Sequence, residues 1–126
     1  MKSIVRWSVV AIVIAAATAL LGAVYAPNAS AHSSVKTSNP ANGATLTSAP
    51  AQITITFNSP LQRSNATLSV VDEHGRAWQT GAPVVRGTTV TQAVNPRAGK
   101  GRYQVRFFFL AADGHPSPGV LNYRVA

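Results

Sequence analysis

Residues 32–126 predict an all-β domain, a small sandwich of about seven short strands. Three observations point there. Apolar side chains recur at every second position from residue 51 onward, as in strands with one buried face. Glycine, proline and asparagine clusters punctuate those runs at short intervals. No stretch of the same region repeats its apolar residues with a helical period.

The elements follow in order. Ser34 to Ser38 is a short first strand, closed by the turn signal Asn39-Pro40-Ala41-Asn42-Gly43. In Gln52 to Phe57, Ile53, Ile55 and Phe57 share one face while Thr54 and Thr56 share the other. Asn58-Ser59-Pro60 ends that strand. Ala66, Leu68 and Val70 then alternate with Thr67 and Ser69, and His74-Gly75 marks a hairpin turn. Gly81-Ala82-Pro83 reads as a further turn, and Thr88 to Val94 as a weaker strand. Arg102 to Leu110 is the most apolar strand and is expected at the centre of a sheet. The last strand starts near Gly119 and turns Leu121, Tyr123 and Val125 inward.

The first 31 residues read differently, as a secretory signal peptide. Lys2 and Arg6 carry a positive start, Val9 to Val24 is a weakly polar-to-apolar run, and Ala29-Ser30-Ala31 has the small-x-small form of a cleavage site. The competing reading is an uncleaved membrane anchor, but the run of 16 residues falls short of the roughly 20 that span a bilayer as a helix. A cut after Ala26 would leave Pro27 first, a poor context for cleavage. The chain thus divides into a signal, residues 1–31, and one domain, residues 32–126, exported to the periplasm or beyond the cell. No second long apolar run follows, so the mature domain is expected not to span a membrane.

Removing the signal leaves 95 residues, enough for a single marginal core. The chain has no cysteine, so no disulfide staples that core. Its formal net charge is +8. Without Lys2 and Arg6, nine basic residues face three acidic ones, Asp72, Glu73 and Asp113, about +6. Nucleic acid is not the expected partner, because the arginines are scattered and the domain is read as exported. An anionic envelope surface and plain solubility remain as explanations of the charge.

Cleavage before His32 would make it the first residue, with an α-amine and an imidazole close enough to chelate one metal ion. Asp113-Gly114-His115 supplies a carboxylate and a second imidazole. With spacing i, i+2 these two face the same side if the loop is locally extended, which Pro116 favours at His115. Two imidazoles, an amine and a carboxylate form a nitrogen and oxygen set that suits Cu(II).

The order of these features resembles one family. A small-x-small cut, a histidine first, Ser38 to Ala44 (Ser-Asn-Pro-Ala-Asn-Gly-Ala), Ile53 to Asn58 (Ile-Thr-Ile-Thr-Phe-Asn) and a late Asp-Gly-His before a closing strand are similar to the CopC family of periplasmic copper-binding proteins. The resemblance implies a Greek-key β-sandwich of the immunoglobulin-like or cupredoxin-like kind. It also implies a Cu(II) site built from His32, Asp113 and His115, a role in copper tolerance or uptake, and often a membrane partner of the CopD type. The expected function is an extracytoplasmic Cu(II) carrier or buffer in copper homeostasis, with no turnover. Two departures stand out. Some relatives hold Cu(I) in a methionine-rich segment, whereas the one methionine here is Met1. Relatives often carry a serine where this chain has Ala111.

Other readings compete at each point. Asp113 before Gly114 is a common turn pair, and His115 in a glycine- and proline-rich loop is by itself an ordinary exposed residue. His74 is expected in a solvated turn, and Trp78 and Tyr103 are read as core or surface aromatics. A copper monooxygenase also uses an N-terminal histidine on a β-sandwich, but 95 residues leave little room for a polysaccharide face. A metal-free immunoglobulin-like interaction module is the third reading.

Overall fold

The computed structural model describes residues 34–126. Eight strands follow one another: β1 (Val35–Asn39), β2 (Ala44–Leu46), β3 (Gln52–Phe57), β4 (Thr67–Asp72), β5 (Gln79–Arg86), β6 (Thr89–Val94), β7 (Gly101–Leu110) and β8 (Pro116–Val125). No helix occurs among the described residues, and the strands form two four-stranded sheets, ordered β1-β3-β6-β5 and β2-β8-β7-β4. The chain changes sheet at every connection except the β5–β6 and β7–β8 hairpins.

The period-two pattern places the core between the sheets. Ile53, Ile55 and Phe57 on β3 face Val105, Phe107 and Phe109 on β7, and all six are buried. Phe57 meets Phe107 and Phe109 edge-on, with ring centroids 5.8 and 5.6 Å apart. The Tyr103 and Tyr123 rings stack at 5.1 Å in the same sheet, one strand apart. Trp78 packs at the margin of the core. Tyr103 and Trp78 are thus structural aromatics, as the sequence predicts.

Three elements differ from the sequence expectation. β2 has three residues and pairs in parallel with Tyr123–Val125, and so short a strand leaves no alternation to detect. Gly81-Ala82-Pro83 is no turn but the middle of β5, where pairing with β6 jumps between Thr80 and Val84. Gly81 takes a φ of +72°, a left-handed conformation that suits glycine in a bulge. The fully buried Gln92 of β6 plugs this bulge, its Nε2 donating to the carbonyls of Thr80 (3.1 Å) and Gly81 (3.0 Å).

The third difference bears on function. Pro116-Ser117-Pro118 belongs to β8, pairing with Phe109 and its neighbours on β7 rather than forming a loop. Prolines lack the N–H that a second neighbour would need. Here β2 covers β8 only at Tyr123–Val125, so Pro116 and Pro118 lie on a free edge. The loop carrying Asp113 is consequently only five residues long, Ala111–His115, between two ten-residue strands.

Gly119 sits opposite Phe107 in the β7–β8 register. A Cβ added there would overlap the phenyl ring of Phe107, with Cε2 only 2.8 Å away and Cζ nearer still. Because Phe107 is held by Phe57 and Phe109, it has little room to yield. Gly119→Ala is expected to destabilise the domain by about 1–3 kcal/mol, the usual range for overpacking. Urea unfolding checks this; an unchanged midpoint would mean that the ring turns aside freely.

Candidate metal site

The loop after β7 is a tight turn tied down on both sides. Gly114 N–H donates to the Ala111 carbonyl and Ala111 N–H to the His115 carbonyl, each at 2.8 Å. Gly114 takes a φ of +91°, which a side chain would resist. Across from it, Ala112 N–H donates to Pro60 O and Gln62 N–H to Leu110 O. The buried Ala111 forms an isolated antiparallel bridge with Leu61.

Within that turn Asp113 and His115 come together. Asp113 Oδ1 accepts the backbone N–H of His115 at 3.1 Å, and Oδ2 lies 2.8 Å from His115 Nδ1. The two side chains do share one side, but a turn achieves it rather than the extended loop expected from the sequence. Both are half exposed, 51% for Asp113 and 50% for His115. Two donors bound about 2.0 Å from one ion at right angles are about 2.8 Å apart, so this separation fits neighbouring corners of a tetragonal site. Without an ion the same contact is a hydrogen bond from Nδ1–H to Oδ2 that orients the ring, and an ion held between Nδ1 and Oδ2 would displace that proton.

The third element is the start of β1. Asn58, next after Phe57, grips Ser34 at three points. Its Oδ1 accepts the Ser34 N–H at 2.8 Å, its Nδ2 donates to Ser34 Oγ at 2.7 Å, and its N–H donates to the Ser34 carbonyl at 2.9 Å. Ser34 and Val35 then line a cleft whose other wall is Pro116, Ser117 and Pro118, with Phe57 and Phe107 between them. The chain therefore enters the domain beside the residue that follows His115. Sequence reasoning misses Asn58, since Asn58-Ser59-Pro60 reads as a turn signal alone; its place at the end of Ile-Thr-Ile-Thr-Phe-Asn is the one clue.

His32 lies outside the described residues, as does the whole segment read as a signal peptide. Among the described residues no third carboxylate, imidazole or thiol joins Asp113 and His115. His74 is elsewhere, exposed in the turn after β4 as expected. There Asp72 accepts from the N–H groups of His74 and Arg76 and from Trp78 Nε1. These hydrogen bonds, that from Trp78 foremost, hold the Asp72 carboxyl below its ordinary range.

The CopC domain model matches residues 35–126. The chain belongs to the CopC family. Its curated relatives include the copper transport protein CutJ of Bacillus subtilis, 29% identical over 110 residues that cover 84% of this chain. The chain spans about a fifth of that relative's length, 20%. Among solved structures it is similar to CopC from Methylosinus trichosporium OB3b, with a TM-score of 0.69 at 21% identity, covering 75% of this chain and 93% of that one. It is also similar to PcoC, a methionine-rich copper resistance protein from Escherichia coli, with a TM-score of 0.63 at 21% identity, covering 76% of this chain and all of that one (100%). At these identities the solved structures support the fold: a CopC-type β-sandwich, as the sequence predicts.

The Asn58 grip has a measurable consequence. Asn58→Ala removes two side-chain hydrogen bonds of about 1 kcal/mol each, which corresponds to roughly 30-fold easier opening at Ser34. Hydrogen exchange should show faster exchange of the Ser34 amide, with the Ile55 amide in the core unchanged. Equal acceleration at Ile55 would mean that Asn58 supports the whole sheet rather than the entry of the chain.

Proposed function

We propose that this CopC-family protein is an exported carrier or buffer of Cu(II), binding one ion through His32, Asp113 and His115. The observation that carries the reading is the Asp113–His115 pair, two donors 2.8 Å apart on a pinned and half-exposed turn. Family membership and the copper relatives supply the metal.

The missing part of the site is two residues from Ser34. Two residues of extended chain reach about 7 Å, and Ser34 is clamped in the cleft that Pro116 also lines. A chain cut before His32 would bring an amine and an imidazole into reach of Asp113 and His115. Asn58 sets where that short arm departs. The resulting donors are nitrogen and oxygen, which favour Cu(II) over softer Cu(I). Beyond Met1 the chain has neither methionine nor cysteine, unlike the relative described as methionine-rich.

The ion is cargo in this reading. A site on a half-exposed rim lets a partner's donors replace the protein's own one by one, and it needs no substrate pocket. A membrane partner of the CopD type, in the periplasm or at the outer face of the cell, fits such a handover. Export rests on the leader pattern of residues 1–31.

Competition titration with a Cu(II) chelator tests the ligand set. His115→Ala should weaken binding about 100-fold or more, and Asp113→Asn less, about tenfold, since an amide oxygen still ligates. His74→Ala should change it less than about twofold, as expected of an exposed turn. Affinity should fall on acidification, because protons compete with the ion for the nitrogen donors. An unchanged affinity for His115→Ala would remove the proposed site.

A further inference from the structure

We propose that the outer face of the β2-β8-β7-β4 sheet docks the protein onto an anionic lipid surface, with its copper loop at the membrane's edge. This face is the solvent side of β7 and β8. Arg102 lies directly opposite Arg124 in the register, and Arg106 follows on the same side of β7. Like charges opposed across two strands destabilise a sheet, and no described carboxylate lies within ion-pair distance of either. Among the described residues the one ion pair is His115–Asp113, and no arginine has a carboxylate partner. Glu73 borders the same surface beside Arg102 and Arg106 without reaching ion-pair distance. Asp72 is engaged by Trp78 and the turn amides. Arg106 is held in place by its Nε, which donates to Gln104 Oε1 at 2.5 Å.

The other end of the same face is apolar. Phe108 is 40% exposed and Val120 50% exposed, and Phe108 stands opposite Pro118. Val120 is the direct partner of Arg106, so the basic and apolar parts adjoin. An aromatic and a branched aliphatic side chain beside guanidinium groups suit a lipid interface. The apolar groups enter the headgroup boundary while the arginines reach phosphate. A second copy of this chain does not suit it, because pairing two such faces would bring six arginines together.

Orientation links the face to the site. Phe108 and Pro118 are two residues from Leu110 and Pro116, where the Ala111–His115 loop begins, about 7 Å along the strands. Docking by Phe108 and Val120 sets that loop at the bilayer's rim, a placement that, on the function proposed above, suits handover to a membrane-embedded acceptor.

The docking claim stands apart from the copper reading and is tested without metal. Protein recovered after export, its first residue established by intact mass, is sedimented at about 0.1 M salt with vesicles of phosphatidylcholine alone or with 30 mol% phosphatidylglycerol. Binding is expected to the anionic vesicles and to be lost in high salt. Arg102→Glu with Arg124→Glu should weaken it by about tenfold or more, given the contribution of each basic residue near a charged membrane. Arg63→Glu with Arg86→Glu, the same charge change at another surface, should weaken it less than about threefold. Because all four side chains are exposed, the variants should keep the parent melting temperature. As a second measurement, Phe108→Trp should add an emission that shifts to the blue with anionic vesicles, read against the parent protein and its Trp78. Equal losses from the two charge pairs, equal binding to neutral vesicles, an unshifted emission from the Phe108→Trp variant or no binding at all would each overturn the proposal.

Discussion

Phe57 wedges between Phe107 and Phe109, and both halves of the candidate site hang from that contact. The wedge fixes the end of β3 against the end of β7 across the two sheets. One residue beyond Phe57 is Asn58, which holds Ser34 and with it the entry of the chain. Two residues beyond Phe109 is Ala111, which opens the turn bearing Asp113 and His115. Edge-to-face aromatic pairs contribute about 0.5–1.5 kcal/mol beyond burial. Their larger effect here is positional. In the proposed site two loops would have to come within bonding distance of one ion, and leaving from one rigid contact favours that.

The turn at Asp113 shows how little freedom remains. Its backbone is bonded internally through Ala111 and Gly114 and externally to Pro60 and Gln62. The Asp113 carboxylate engages the amide and ring of the residue two positions on. In the proposed role a site so prepared would lose little entropy on taking an ion, while its half-exposed donors stay within reach of another protein. Tight but accessible binding is what a carrier needs, since a buried site would hold its cargo and release it slowly.

Much of this is legible in the sequence, and the failures have physical causes. Strands with one buried face announce themselves, so β3, β4, β6 and β7 are recognisable from alternation. Edges are harder. Pro116 and Pro118 look like loop residues because proline is excluded from paired strands, but β8 is unpaired on one side there. Gly81-Ala82-Pro83 looks like a turn because its residue types serve a bulge equally well, and the deciding feature is the side chain of Gln92 on another strand. Spacing is enough to expect Asp113 and His115 on one side, and they do meet, by a different backbone route. Asn58 escapes, because its role depends on Ser34, 24 residues earlier, and no local pattern shows that pairing.

The central claim is that a free amine at His32 completes the site held ready by Asp113 and His115. One alanine added before His32 retains every side chain and turns that amine into an amide, a far poorer donor at neutral pH. Chelator competition on the protein beginning at His32 and on this extended form isolates the effect. The account predicts Cu(II) affinity lower by about 100-fold or more, with the metal-free melting temperature unchanged. Equal affinity in the two forms would contradict it and would mean that copper is held without the N-terminal nitrogen.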